Sequence, residues 1–228
     1  RLGKRSERLV VREGGRVTAE IPFADLEQVT LAAPGVTIST DALCRLGDLG
    51  IPVTVLTGAG RPVARLSSPG MVGTVVTRRA QMAAADDGRG VAVAVAFVSG
   101  KMRNQAAVLK YFAKSRRRTD ATAYEALHAA AREIMASVRY VESLRGSSLS
   151  EVREELLSSE ARASRLYWER VAALLPGRLG FPGRRYPGAT DPVNACLNYG
   201  YGILYHEAWG ALLFAGLEPF AGFVHVDR

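Results

Sequence analysis

A carboxylate, an imidazole and a stripe of amides and phenols carry the chemistry that this sequence offers. Glu160 opens the run Glu160-Ala-Arg-Ala-Ser-Arg-Leu-Tyr167-Trp168. About one helix later come Asp191-Pro192-Val193-Asn194 and Asn198-Tyr199-Gly200-Tyr201, and then Gly222-Phe223-Val224-His225. A carboxylate oxygen and an imidazole nitrogen on separate elements can share one divalent cation. Asn194, Asn198, Tyr201 and Tyr205 step by four, three and four, so a helix would line them on one side. Amides and phenols so aligned can hydrogen-bond phosphate or sugar, and tyrosine can stack on a base. Each feature also has an ordinary explanation. A lone helical glutamate is usually a surface residue, here with Arg162 or Arg165 nearby. The stripe equally suits a helix-packing interface with its polar tips satisfied. His128, His206 and His225, taken singly, are ordinary imidazoles.

Charge narrows the choice. Lys and Arg number 30 against 22 Asp and Glu, a formal net charge of +8. Such an excess favours an anionic partner, nucleic acid being the commonest, although an arginine-rich proteome produces the same balance. The basic residues cluster at Arg78-Arg79, at Lys114 with Arg116 to Arg118, and at Arg184-Arg185. Clusters suit phosphate contact, because each neutralised phosphate releases counterions. Hydrophobic residues make up 48% of the chain, enough for a substantial core. The longest apolar runs, Val91 to Val98 and Ala208 to Gly216, are too short to span a bilayer. No apolar signal region opens the sequence, and Cys44 and Cys196 read as reduced thiols. Together these features predict a cytoplasmic protein with no membrane association. P-loop, dinucleotide-binding and Cys-x-x-Cys signatures are absent.

The elements that must position these residues fall into two regions, an α+β organisation. Residues 1–70 read as a small β-rich domain. Arg8 to Arg12 and Arg16 to Pro22 flank the turn Glu13-Gly14-Gly15, and Gln28 to Ala32, Ile51 to Leu56 and Pro62 to Leu66 are further strands. Thr40 is the expected N-cap of a helix that stops at Gly50. Residues 71–228 read as a larger all-α domain. Arg78 to Ala85 forms a helix broken at Asp86-Asp87-Gly88. The alternating run from Val91 is ambiguous, but the sequence after Lys101 argues for one long helix. Thr122 to Arg139 and Ser148 to Leu157 are helices, and Pro176 to Ala189 is a loop. A long helix then runs from Pro192 to Ala215, capped by Asp191 and stopped by Gly216. His225 is expected in a short extended segment, with Asp227 facing the same way.

Taken together, these segments resemble the CRISPR-associated adaptation integrase family, Cas1. The resemblance covers nearly the whole chain: Ile21-Pro22 through Leu31, Gly35 to Thr40, Gly50 to Val53, Gln81, Lys101 with Asn104-Gln105, and three further segments. Those three are the specific ones: the Glu160 run, Asp191 to Asn194 with Asn198 to Tyr201, and Phe214 through His225. The resemblance implies a β-domain followed by an all-helical catalytic domain. It implies a homodimer that works with the second adaptation protein, Cas2, to insert protospacer DNA fragments into the CRISPR repeat array beside its leader. It places the metal glutamate on Glu160 and the metal histidine on His225, with Mg²⁺ or Mn²⁺ as the ion. The family completes that site with acidic residues further downstream than Arg228, and Asp227 lies too close to the histidine to serve. Arg78, Arg79, Arg184, Arg185, Asn194 and Tyr201 are the expected nucleic-acid contacts. The chain is expected to be part of a longer one that lacks the family's opening strand. Fusion to, or partnership with, the adaptation nuclease Cas4 is compatible with it. Two other activities fit the same residues: a structure-selective DNA endonuclease, with water in place of the hydroxyl, and a non-catalytic DNA-binding assembly module.

Overall fold

A computed structural model describes residues 1–57, 62–66, 68, 74–186 and 188–225. Six strands precede a series of long helices, so the chain is α+β. Two compact units partition it: Arg1–Thr77 with Leu197–Leu217, and Arg78–Cys196 with Glu218–Arg228. The boundary expected near residue 70 falls outside the described residues.

The first unit holds two three-stranded sheets. Strands β1 (Leu2–Arg5), β2 (Arg8–Glu13) and β3 (Arg16–Pro22) form an antiparallel meander. The β2–β3 turn works because Gly14 and Gly15 both take positive φ, 54° and 84°, which suits a tight hairpin. Leu2–Arg5 is a strand that the residue pattern does not announce: it alternates weakly, and it is held by β2 on one side and by a parallel bridge from Leu2 to Ile38 on the other. In the second sheet β4 (Val29–Leu31) runs parallel to β5 (Val53–Leu56), and β6 (Pro62–Leu66) returns antiparallel. Parallel neighbours need a crossover, and helix α1 (Thr40–Asp48) lies between them in the chain. Its N-cap is Ser39, one residue before the expected Thr40, and the Ser39 hydroxyl accepts from the Ala42 N–H at 3.3 Å. Leu2, Leu9, Phe23, Val29, Ala42, Leu46, Ile51 and Val53 make the core of this unit.

The second unit is helical: α2 (Thr74–Ala85, from Arg78 onward), α3 (Gly88–Arg116), α4 (Ala121–Ser143) and α5 (Leu149–Leu174). The ambiguous run from Val91 lies inside α3, because its apolar positions continue at helical spacing. Val91, Ala94, Val98, Met102, Ala106, Leu109 and Ala113 are all buried. They pack with Leu127, Ala131, Ile134 and Val138 of α4 and with Val152, Leu156 and Ala163 of α5. Asp87 caps α3, accepting from the Arg89 N–H at 2.8 Å, as the break at Asp86-Asp87-Gly88 predicts. The separate helix expected over 148–157 is the first third of α5, which runs on through Glu160 to Leu174.

Helix α6 (Pro192–Phe214) begins at the proline expected from the sequence. It ends with Gly216 at φ 76°, and the Leu217 N–H reaches the Leu212 carbonyl at 2.9 Å. Within the first unit, Gln28 Nε2 donates to Glu207 Oε1 at 3.2 Å, and the Arg65 guanidinium lies over Gly210, where a Cβ would stand 2.5 Å from Nη1. Burial pulls the Arg65 guanidinium below its ordinary value, and Glu207 pushes it back up. Tyr199, Tyr201, Ile203, Leu204, Tyr205 and Phe214 are exposed along α6. No helix among the described residues is long and apolar enough to cross a membrane.

Candidate functional site

Glu160 follows the fully buried Ser159 on α5, at the margin of the buried line Leu149, Val152, Leu156, Ser159 and Ala163. Its carboxylate is therefore neither in the core nor free in solvent: 20% of the side chain is exposed. Helix α3 supplies its neighbours. Lys101 and Gln105 are one helical turn apart on α3, as Glu160 and Ser164 are on α5, so the two pairs meet as rungs. The Lys101 ammonium forms an ion pair with Glu160 Oε1. Ser164 Oγ donates to the same oxygen at 3.1 Å, and Gln105 Nε2 donates to Ser164 Oγ at 3.1 Å. Donors thus converge on one carboxylate oxygen, and the nearest charge to it is a cation.

His225 reaches the second unit by a different route. After α6 the chain turns at Glu218–Ala221 and bends through Phe223, Val224 and His225. The extended segment expected here is a bend through His225 among the described residues, and Asp227 lies outside them. Phe223 and Val224 are half-buried against the α3–α4–α5 core, while the His225 side chain is exposed. The segment is held by one side chain of α2. Gln81 Nε2 donates to the carbonyls of Glu218 and Ala221 at 3.0 and 2.9 Å, and Gln81 Oε1 accepts from the Glu218 N–H at 2.8 Å.

The donor set suits a divalent ion in kind. Carboxylate oxygen with imidazole nitrogen is compatible with Mg²⁺ or Mn²⁺. Glu160 already attracts a cation, the Lys101 ammonium. Among the described residues no three His, Cys, Asp or Glu side chains form a metal-binding group, so further ligands would have to join these two.

The remaining expected residues divide by exposure. Asn194 is fully buried, and its amide is committed to the loop before α6. Its Nδ2 donates to the Gly183 carbonyl at 2.9 Å and to Asp191 Oδ2 at 2.8 Å, and its Oδ1 accepts from the Arg185 N–H at 2.8 Å. Hydrogen bonds from the Asn194 side chain and main chain hold the Asp191 carboxyl below the usual carboxylate range. The amide therefore ties down a loop and presents no face to a partner. Asn198 is half-buried, with Oδ1 lacking a hydrogen-bond partner among the described residues, whereas Tyr201 and Tyr205 are exposed. Arg79, Arg117, Arg118 and Arg185 have exposed side chains. Arg116 folds back on the Phe112 carbonyl, Arg184 bonds Asn194 Oδ1 at 3.2 Å, and Arg78 is half-buried. His128 packs on Tyr124 with ring centroids 4.5 Å apart. The side chain of His206 lies outside the described set.

The model of the CRISPR-associated protein Cas1 family matches residues 1–228. The chain belongs to the Cas1 family. A relative from Archaeoglobus fulgidus named CRISPR-associated endonuclease Cas1 1 is 38% identical over 99% of this chain and 67% of its own length. An endonuclease Cas1 from Korarchaeum cryptofilum is 32% identical over 100% of this chain and 67% of its own. This Cas1 chain thus spans about two thirds of the length of those relatives. Solved structures share the fold. A Cas6-RT-Cas1–Cas2 complex aligns with TM-score 0.75 at 23% identity, over the whole of this chain and 24% of its own. A casposase bound to integration product aligns with TM-score 0.74 at 20% identity, over the whole of this chain and 63% of its own. A Cas1 protein from Thermotoga maritima gives 0.74 at 16% identity, over the whole of this chain and 66% of its own.

Lys101 and Gln105 pack beside Glu160 and Ser164, and Gln81 holds the segment that leads to His225; residue chemistry alone assigned the three no role. For Lys101 and Gln105 a signal existed: their i, i+4 step matches that of Glu160 and Ser164. For Gln81 there was none, since its partners are main-chain groups 137 to 140 residues away.

Proposed function

We propose that this Cas1 chain carries the catalytic part of a metal-dependent DNA integrase of CRISPR adaptation, acting by transesterification. The 3′-hydroxyl of the incoming fragment attacks a phosphodiester of the repeat, so that one phosphodiester bond forms as another breaks. Glu160 and His225 would hold Mg²⁺ or Mn²⁺, together with further acidic ligands, and the ion would polarise the scissile phosphate and stabilise the leaving oxygen. The observation that carries this reading is the convergence of Lys101 and Ser164 on Glu160 in a chain that belongs to the Cas1 family. The chain's own residues have simpler tasks. Ser164 and Gln105 orient the carboxylate, and Lys101 supplies positive charge beside it. The exposed Arg79 and Arg185 contact DNA backbones, with the half-buried Arg78 and Arg184 beside them as further contacts, and Tyr201 presents a ring to the nucleic acid.

The partners in this reading are protospacer DNA, the repeat and leader, a second copy of the chain and Cas2. A solved structure of this fold is a Cas6-RT-Cas1–Cas2 complex, and the exposed apolar side chains of α6 are of the kind that protein contacts bury. Cas4 remains a candidate fusion or partner, and a cytoplasmic location follows from the role. The same site supports hydrolysis of branched DNA with water as nucleophile, which agrees with the endonuclease in the relatives' names. The test is Glu160→Ala in the complete protein. It should abolish strand transfer and cleavage while leaving duplex binding nearly intact, and full activity would remove Glu160 from the site.

A further inference from the structure

The chain from Glu218 to His225 has no helix or strand of its own. Such a segment cannot hold a ligand in place by itself, because each residue retains conformational freedom. Something outside it must fix its course. Two kinds of contact do so. Phe223 and Val224 seat on the helical core, which sets how close the segment lies. Gln81 sets its register, since all three hydrogen-bonding atoms it needs lie on the main chain of Glu218 and Ala221. A primary amide is the one uncharged side chain that can give two hydrogen bonds and accept another at this reach. Glutamate would keep the acceptor for the Glu218 N–H and turn a second oxygen toward two carbonyls. Methionine would keep the length and lose all three bonds.

We propose that Gln81 is the positioning residue for His225: by clamping Glu218 and Ala221 it fixes where the imidazole can meet a metal ion held by Glu160. This rests on the reading of Glu160 and His225 as metal ligands. Gln81 itself bonds main-chain groups of Glu218 and Ala221. Its role is to place the four-residue lead into the histidine, so that binding of the ion does not also have to order that lead. Removing a residue that orients a ligand without touching the metal typically weakens metal affinity by about 10–100-fold.

The experiment uses the complete protein with Gln81→Met, Gln81→Glu and His225→Ala. Mn²⁺ binding is measured by electron paramagnetic resonance of the free ion, and strand transfer is measured against Mn²⁺ concentration. Thermal unfolding of each variant sets a temperature at which all are folded. Both Gln81 variants should bind Mn²⁺ about 10–100-fold more weakly and regain strand transfer at saturating Mn²⁺. Destabilisation of the fold alone would leave the Mn²⁺ midpoint of the folded protein unmoved, and that outcome would overturn the assignment. An unchanged Mn²⁺ affinity in both Gln81 variants, with binding lost in His225→Ala, also overturns it. A His225→Ala protein that binds Mn²⁺ like the parent overturns instead the metal reading beneath it.

Discussion

Asn194→Ala should destabilise the loop before α6 by removing side-chain hydrogen bonds within it, not by removing a direct DNA contact. The amide is fully buried and bridges Gly183, Asp191 and Arg185. Truncation leaves the Gly183 carbonyl and the Arg185 N–H without their partners. A buried group so orphaned costs about 1–3 kcal/mol. Both lie in a partly exposed loop, where water recovers some of the loss, so the low end applies to each and the sum is about 2–3 kcal/mol. The main-chain bond from the Asn194 N–H to Asp191 Oδ1, 2.8 Å, survives the substitution, so α6 keeps its cap. Urea unfolding followed by circular dichroism would read the change as a lower midpoint. A loss below about 0.5 kcal/mol, within the range of ordinary surface substitutions, would refute the loop-tying role. The pH dependence gives a second check. The Asp191 carboxyl is held down first by the Asn194 side chain, so its folded-state value lies below its unfolded one. The stability it contributes is present above the unfolded value, about 3.9, and is lost as pH falls through the lower folded value. Asn194→Ala removes the largest of the causes, so its acid-side decline should be shallower than the parent's. An identical acid limb would exclude the coupling.

Three further outcomes follow from packing and charge. A Cβ at Gly90 would stand 2.2 Å from the Ala84 carbonyl oxygen, a main-chain atom that cannot rotate away, so Gly90→Ala should destabilise by about 1–3 kcal/mol in thermal or chemical unfolding. Ser39→Ala removes the cap of α1 and should cost about 1 kcal/mol, whereas Thr40→Ala should cost far less; the reverse order would place the cap at Thr40. Arg185→Ala should reduce the slope of log DNA affinity against log salt by about one if its exposed side chain meets one phosphate, and an unchanged slope would remove it from the DNA surface.

Much of the architecture was legible because it rests on local rules. Gly14 and Gly15 mark the hairpin because positive φ is free for glycine. Asp191-Pro192 marks the start of α6 because an acceptor and a missing N–H both suit a first turn. The choice of helix for Val91 to Val98 depended on carrying the apolar spacing past Lys101 into Ala113. Local rules were not enough where two candidates were alike by type or where the partner was distant. Thr40 and Ser39 are equally good caps by type, and which one caps α1 follows from main-chain geometry, with Ser39 extended at φ −76°, ψ 149°. The strand Leu2–Arg5 exists because β2 offers it an edge and Ile38 bridges Leu2, and the helix end expected at Leu157 is overridden by burial that continues along α5.

By itself the order of residues determined the family, the α+β division and the types of ligand on offer, since these depend on residue chemistry and on spacing within single elements. Only the tertiary structure decided that Asn194 faces inward, that Lys101 and Ser164 converge on Glu160, and that Gln81 holds the lead into His225. Those outcomes depend on which side chains from remote parts of the chain compete for the same polar groups once water is excluded, and a periodicity within one helix carries no information about that competition.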